Sequence, residues 1–327
     1  MCQAKISCQA RGEVVEFAIM ENSIVAVGSI ALDTIKTPHA EVRDIPGGSA
    51  VYFGWAASYF SKVGIVGTAG NDFPGEYLEL LKSRSINLDG LKVGGKTFRW
   101  TGRYGENPDE RETLSVCQDV FENYEPEFPE SYRSSSCIFL ANIDPDLHLK
   151  VLSQIKNPGL VTGDTMDLWI ATKKDSLLET LKKIDMMFLN ESEARQLTNE
   201  NNLIKAARVI LSFGPKTVII KKGENGVFVL SENILFSMPA YPCELVCDPT
   251  GAGDVFAGAA LGFLASESQA MPVRAGRVNE ASLRKAVAYG SVVASFCVED
   301  FGLRKLEKVT EDDIMGRVEK FRRLTQF

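Results

Sequence analysis

Short, continuous apolar runs separated by helix-length segments constrain this chain more than any other feature. Such runs fall at residues 23–28, 63–67, 137–141, 160–162, 185–189 and 217–221. They do not alternate polar with apolar, so each predicts a strand covered on both faces, the mark of a parallel sheet. Between and after them, helical spacing predicts helices over 49–60, 74–84, 146–154, 176–183, 191–198, 203–213, 254–265, 280–297 and 311–323. Alternation of this kind predicts an α/β fold, a doubly wound, mostly parallel sheet with helices on both faces. One domain over 22–327 is expected, preceded by an N-terminal extension, residues 1–21, that carries no chemistry. Either translation starts at Met20, or the extension is a short tail or edge strand.

One segment breaks the rhythm. Residues 92–119 have no helical period and are dense in β-formers, among them Thr97, Phe98, Trp100, Tyr104 and Val116. Gly102, Gly105 and the turn cluster Asn107-Pro108-Asp109-Glu110 punctuate them. Antiparallel strands outside the main sheet are expected there, placed as a β lid over its carboxyl edge.

Charge and cysteine usage narrow the function. Lys and Arg total 36 against 43 Asp and Glu, a formal charge of −7, with no basic block. A nucleic-acid or anionic-membrane partner is therefore not expected. The seven cysteines are scattered and contain no C-x-x-C pair, which suits free thiols in a reducing, cytoplasmic setting. No apolar run approaches the roughly 20 residues of a membrane span. His39 and His148 stand in no nucleophile or metal pattern and read as structural.

Two segments look like phosphate loops. Gly90-Leu-Lys-Val-Gly-Gly95-Lys96-Thr97 fits G-x-x-x-x-G-K-[ST], but that pattern needs a helix after the loop, and Phe98-Arg-Trp-Thr101 favours a strand. It reads as a hairpin turn at the root of the lid. The stronger signal is Asp248-Pro-Thr250-Gly251-Ala252-Gly253-Asp254, followed by an apolar helix with small Gly258, Ala259, Ala260 and Gly262. Small residues let backbone amides approach an anion, and a helix N-terminus favours a phosphoryl oxygen. Asp254 suits an N-cap and a general base equally on local grounds. Phe256 stands where a dinucleotide fingerprint needs its third glycine.

The stretch from Asp248 through Gly258 resembles the C-terminal signature of the PfkB (ribokinase-like) carbohydrate kinases. Gly28-Ser-Ile-Ala-Leu-Asp33, the pair Gly47-Gly48, Val66-Gly67-Thr-Ala-Gly-Asn71-Asp72-Phe-Pro-Gly75, Asn190-Glu-Ser-Glu193 and Lys221-Lys-Gly223-Glu-Asn-Gly226 are similar to further family motifs in the family's order. The lid segment sits where that family carries its lid. The resemblance implies ATP-dependent transfer of the γ-phosphoryl group to a hydroxyl of a small sugar. Asp254 would be the base, and the amides of Gly251, Ala252 and Gly253, beside Thr250, the anion hole. At a helix N-terminus Asp254 is expected to stay ionised. Asp33, Gly47, Gly48 and Tyr52 would meet the acceptor, with Trp100, Arg99 and Arg103 of the lid covering it or forming a dimer contact. Asn190, Lys221, Gly223 and Gly226 would face the nucleotide. Asn190 and Glu193 would hold Mg²⁺ mostly through water, although the pair also reads as a capped helix start. Asp164, at the end of another strand, is a second candidate for magnesium or phosphate. Asp248 would belong to a K⁺ site, and a homodimer would pair through the lid. The departure is Tyr52, where the family usually places Asn. Tyr52 and Trp100 favour a nucleoside kinase of the same family as the alternative. A catalytically silent nucleotide- or sugar-binding protein is the alternative of another class.

Overall fold

The computed structural model describes residues 24–107, 111–155, 158–267 and 278–326. The expected extension 1–21 and residues 108–110 of the turn cluster lie outside the described residues. In chain order the elements are β1 (Ile24–Val27), β2 (Ala31–Lys36), β3 (Glu41–Gly47), α1 (Ser49–Ala57), β4 (Val63–Ala69), α2 (Gly75–Ser83), β5 (Asn87–Val93), β6 (Phe98–Tyr104), β7 (Arg111–Cys117), β8 (Cys137–Leu140), α3 (Pro145–Leu152), β9 (Leu160–Gly163), α4 (Asp167–Thr172), α5 (Lys174–Leu181), β10 (Met186–Asn190), α6 (Glu191–Thr198), α7 (Leu203–Ser212), β11 (Thr217–Lys221), β12 (Val227–Ser231), β13 (Leu235–Met238), α8 (Ala252–Glu267), α9 (Glu280–Cys297) and α10 (Glu311–Thr325).

Nine strands form the main sheet, in the order β13-β12-β11-β10-β9-β8-β1-β4-β5. It is parallel from β5 to β11, and β12 and β13 add an antiparallel hairpin at one edge. The continuous apolar runs are explained by two cores. Ile24 and Ala26 of β1 pack with helices α1, α8 and α9 on one face, and Val25 and Val27 pack on the other with Ile138 and Leu140. Helix α8 is buried nearly all round. Its Gly258 permits α1 to approach, since a Cβ there would sit 2.3 Å from the Phe53 carbonyl oxygen.

The second sheet has the order β3-β2-β6-β7. It draws on two stretches of chain rather than one. The expected lid segment supplies β6 and β7, which pair antiparallel, while residues 31–47 supply β2 and β3. Residues 87–93 instead form the edge strand β5 of the main sheet, parallel to β4. Registry then sorts the lid's side chains. Asp33 of β2 is opposite Trp100 of β6, and Tyr104 is opposite Arg111 of β7, so these project on one face. Arg99 and Arg103 alternate to the other face.

Candidate active site

The loop before α8 is held from below. Asp248 is fully buried, and its two carboxylate oxygens accept from Thr250 N (2.9 Å) and Gly302 N (3.3 Å). Gly251 has φ +76, and a Cβ there would meet the Tyr52 ring at 2.5 Å. Only glycine fits both the dihedral and the space. Lys221 ends β11 beneath the loop, its Nζ 3.1 Å from where a Cβ on Gly253 would lie. Ala252 N donates to the Pro249 carbonyl at 3.2 Å. Of the three amides expected to face an anion, that of Ala252 is thus already engaged within the loop.

Carboxylates crowd this loop. Asp164 accepts from Lys221 Nζ at 2.7 Å, a pair formed at the carboxyl ends of β9 and β11. Asp254, in the first turn of α8 and partly open to the cleft, is pushed up to about 7, chiefly by burial and next by Asp164, against the pull of Lys221 and Arg111. This corrects the expectation of a permanently ionised side chain: loss of hydration outweighs the helix N-terminus. Asp33, buried on the lid's inner face, rises to about 8 through burial and then the charges of Asp248 and Asp254, while the Gly48 amide opposes. Burial lifts Glu193 to about 8 as well, with Asp164 adding. Burial works to lower Lys221, but Asp164, Glu193 and Asp254 hold it above the ordinary lysine value.

These shifts carry a sign that can be checked. A carboxyl whose folded-state pKa is raised stabilises the fold below its unfolded value, near 4, and that contribution is lost as pH rises through 7 to 8. The nucleotide-free protein should therefore melt at a higher temperature at pH 6 than at pH 8.5, and Asp33→Asn should flatten that slope. A pH-independent Tm across this window would contradict the shifts.

Asn190 and Glu193 form a capping box at the start of α6. Asn190 N donates to Glu193 Oε2 (2.7 Å) and Glu193 N to Asn190 Oδ1 (2.8 Å). The cap reading of the sequence is thus realised, with Glu193 Oε1 left over. Among the described residues no group of three or more His, Cys, Asp or Glu side chains is arranged to hold a metal ion. A buried surplus of carboxylates without a full protein cage fits Mg²⁺, which keeps several waters and takes phosphate oxygens. Asp248 is already occupied by two backbone amides. Gly223 and Gly226, with φ +53 and +82, make the turn between β11 and β12.

The acceptor residues divide. Gly47 lies directly under Asp33, since a Cβ there would come within 1.9 Å of its Oδ2. Gly48 has φ +97 and leads into α1. Tyr52 does not reach the cleft: it is 1% exposed, and its hydroxyl has no hydrogen-bond partner among the described residues. Helix α1 turns it inward, beneath Gly251. Tyr52→Phe should change kcat/KM by less than about threefold and hold or raise stability by about 1 kcal/mol, because a buried hydroxyl without a partner is a liability. A large kinetic loss would restore the acceptor role.

On the lid, Trp100 lies flat over Gly102 beside Asp33, its Nε1 donating to Thr113 Oγ1 at 3.2 Å. Arg103 pairs with Glu112 (2.9 Å) on the outer face, away from Asp33. Arg99 is held by Asp44 and Asp72. Thr250 Oγ1 donates to Tyr104 Oη (3.1 Å), which joins lid and loop. Sequence reasoning missed Arg111, which reaches Asp167 at 3.7 Å and whose charge is felt at Asp254 and Glu193. It also missed Tyr104's contact with the loop. Registry across β6 and β7 is the signal that finds both, and registry is not written in local sequence.

The other glycine-lysine segment is no phosphate loop. Residues 94–97 turn into β6, and Thr97 is fully buried, its N and Oγ1 both donating to Asp72 Oδ1 at 2.7 Å. Lys96 is exposed, so Lys96→Ala should alter the KM for ATP by less than about threefold, as at an ordinary surface site; abolished ATP binding would overturn this. His148 is buried and bonded to the Ala141 carbonyl (2.8 Å), and burial lowers it to about 4, a structural histidine as expected. No described helix is long and apolar enough to cross a membrane.

The family model described as pfkB family carbohydrate kinase matches residues 21–309. A cytidine kinase of Thermococcus kodakarensis is 32% identical over 258 residues, covering 76% of this chain and 90% of that one. A nucleoside kinase of Methanocaldococcus jannaschii is 25% identical over 316 residues, covering 91% and 97%. A putative ribokinase II of E. coli, solved in complex with ATP and Mg²⁺, superposes with a TM-score of 0.74 at 19% identity over 91% of this chain and 99% of its own. The chain belongs to the pfkB family of carbohydrate kinases and is an ATP-dependent phosphotransferase with an alcohol group as acceptor.

Proposed function

We propose that the acceptor is a nucleoside, phosphorylated on a hydroxyl of its sugar, and that Asp254 is the base. The observation that carries this is the placement of Asp33 and Trp100 side by side on the lid's inner face. A buried carboxyl suits paired sugar hydroxyls, and an indole next to it suits a stacked base. The names of the cytidine kinase and nucleoside kinase relatives support the same acceptor.

In this reading Asp33, fixed by Gly47 and Gly48, orients the sugar. Asp33 feels the charge of Asp254, and in this reading the acceptor hydroxyl lies near both carboxyls. Asp254, near 7, is poised to accept the hydroxyl proton at neutral pH. The amides of Gly251 and Gly253, with Lys221 below, neutralise charge on the moving phosphoryl group. Glu193 Oε1 and Asp164 would hold Mg²⁺ through water, and the ion would offset negative charge on the phosphates. Pairing of two copies through the lid is supported by β7, exposed along its length with Leu114 and Val116; light scattering giving a monomer mass would remove it.

A coupled ADP-release screen over nucleosides and free sugars tests the acceptor. A nucleoside should exceed ribose in kcat/KM by at least about tenfold, the difference one stacked base supplies. Turnover of free sugars alone would favour a sugar kinase. ATP binding with no turnover on any acceptor would favour a silent binder.

A further inference from the structure

Arg111 opens β7 on the lid's inner face, in register with Tyr104, which itself touches Thr250 of the phosphate loop. Its guanidinium lies 3.7 Å from Asp167 at the start of α4, across the cleft from the lid, and 5.8 Å from the Trp100 ring centroid. The other arginines of the lid sheet are occupied elsewhere, Arg43 by Glu41, Arg99 by Asp44 and Asp72, and Arg103 by Glu112. Arg111 is thus the lid cation placed toward the site's carboxylates, where Lys221 is already paired with Asp164. Its present partner is a weak one, since both side chains of the Arg111–Asp167 pair are well exposed, 40% and 64%. A phosphoryl group offers a guanidinium a stronger, two-pronged contact.

We infer that Arg111 is the lid's phosphoryl clamp: when ATP is bound it leaves Asp167 and takes oxygens of the γ-phosphoryl group, so that lid closure depends on the triphosphate. This rests on the cleft assignment of the preceding section. The clamp adds charge where the phosphoryl group is transferred and makes no demand on the acceptor.

The test compares Arg111→Ala, Arg111→Lys and Asp167→Asn by ATP and ADP binding, measured calorimetrically, and by turnover on the best nucleoside. Both sites are exposed, so the variants should melt like the parent. Arg111→Ala should erase most of the preference for ATP over ADP and lower kcat by about 10- to 100-fold, with acceptor KM within about threefold, as expected for one lost transition-state cation. Arg111→Lys should recover part of the loss, because it keeps charge without the fork. Asp167→Asn should leave kcat intact and hold or improve ATP affinity. An unchanged ATP-to-ADP preference in Arg111→Ala, or an Asp167→Asn loss as large as that of Arg111→Ala, would overturn the clamp. If the parent binds ATP selectively but turns over no acceptor, the functional reading fails, while the binding ratio still decides the clamp.

Discussion

Asp254→Asn is expected to lower kcat by about 10²- to 10⁴-fold, the range for loss of a positioned general base, while ATP affinity stays within a few-fold. The substitution keeps shape and burial, and it removes a carboxyl that the site already pushes up to about 7. The fold should therefore hold, with Tm unchanged or slightly raised at pH 8. Steady-state kinetics beside a melting curve checks both halves. Unchanged turnover would remove the base, and a collapsed fold would leave Asp254 a structural residue of the first turn of α8.

Gly251→Val is the second large effect. At φ +76 a β-branched residue is strained, and its first carbon would enter the Tyr52 ring at 2.5 Å. The ring is fully buried among α1 and the core and has little room to yield. The loop must move, which carries the Gly251 and Gly253 amides off the phosphoryl oxygens. Loss of about 10²-fold or more in kcat is expected, the size of a lost oxyanion donor, together with about 1–3 kcal/mol of stability from strain. Wild-type turnover in this variant would show that the loop does not serve the reaction.

The legible parts of this molecule are those fixed by short-range physics. Continuous apolar runs gave β1, β4 and β8 to β11 because both faces of those strands are buried. The Asp248–Asp254 segment was legible as a tight turn into a buried helix, because Gly251 stands at φ +76 against the Tyr52 ring, where only a small residue fits. Strands β2 and β3 were not, since residues 34–44 are largely polar and partly exposed, and they pair only once β6 is placed beside them. Motif spacing put Tyr52 near the acceptor, but the rotation of α1 under Gly251 decides where its ring goes. The ionisation of Asp254 was misread for a similar reason: a helix N-terminus is visible in sequence, while the burial of the side chain and the Asp164 carboxyl arriving from the end of β9 are not. Arg111 depends on lid registry and on Asp167, distant in the chain.

The most direct test of the central claim is the position of Asp254 in a structure solved with a nucleoside and a non-transferable ATP analogue. A carboxylate oxygen should stand about 2.6–3.2 Å from one sugar hydroxyl, the reach a base needs, with the γ-phosphoryl oxygens on the amides of Gly251 and Gly253. A nucleoside bound with every hydroxyl out of reach of that carboxylate, or triphosphate seated away from the loop, would contradict the account.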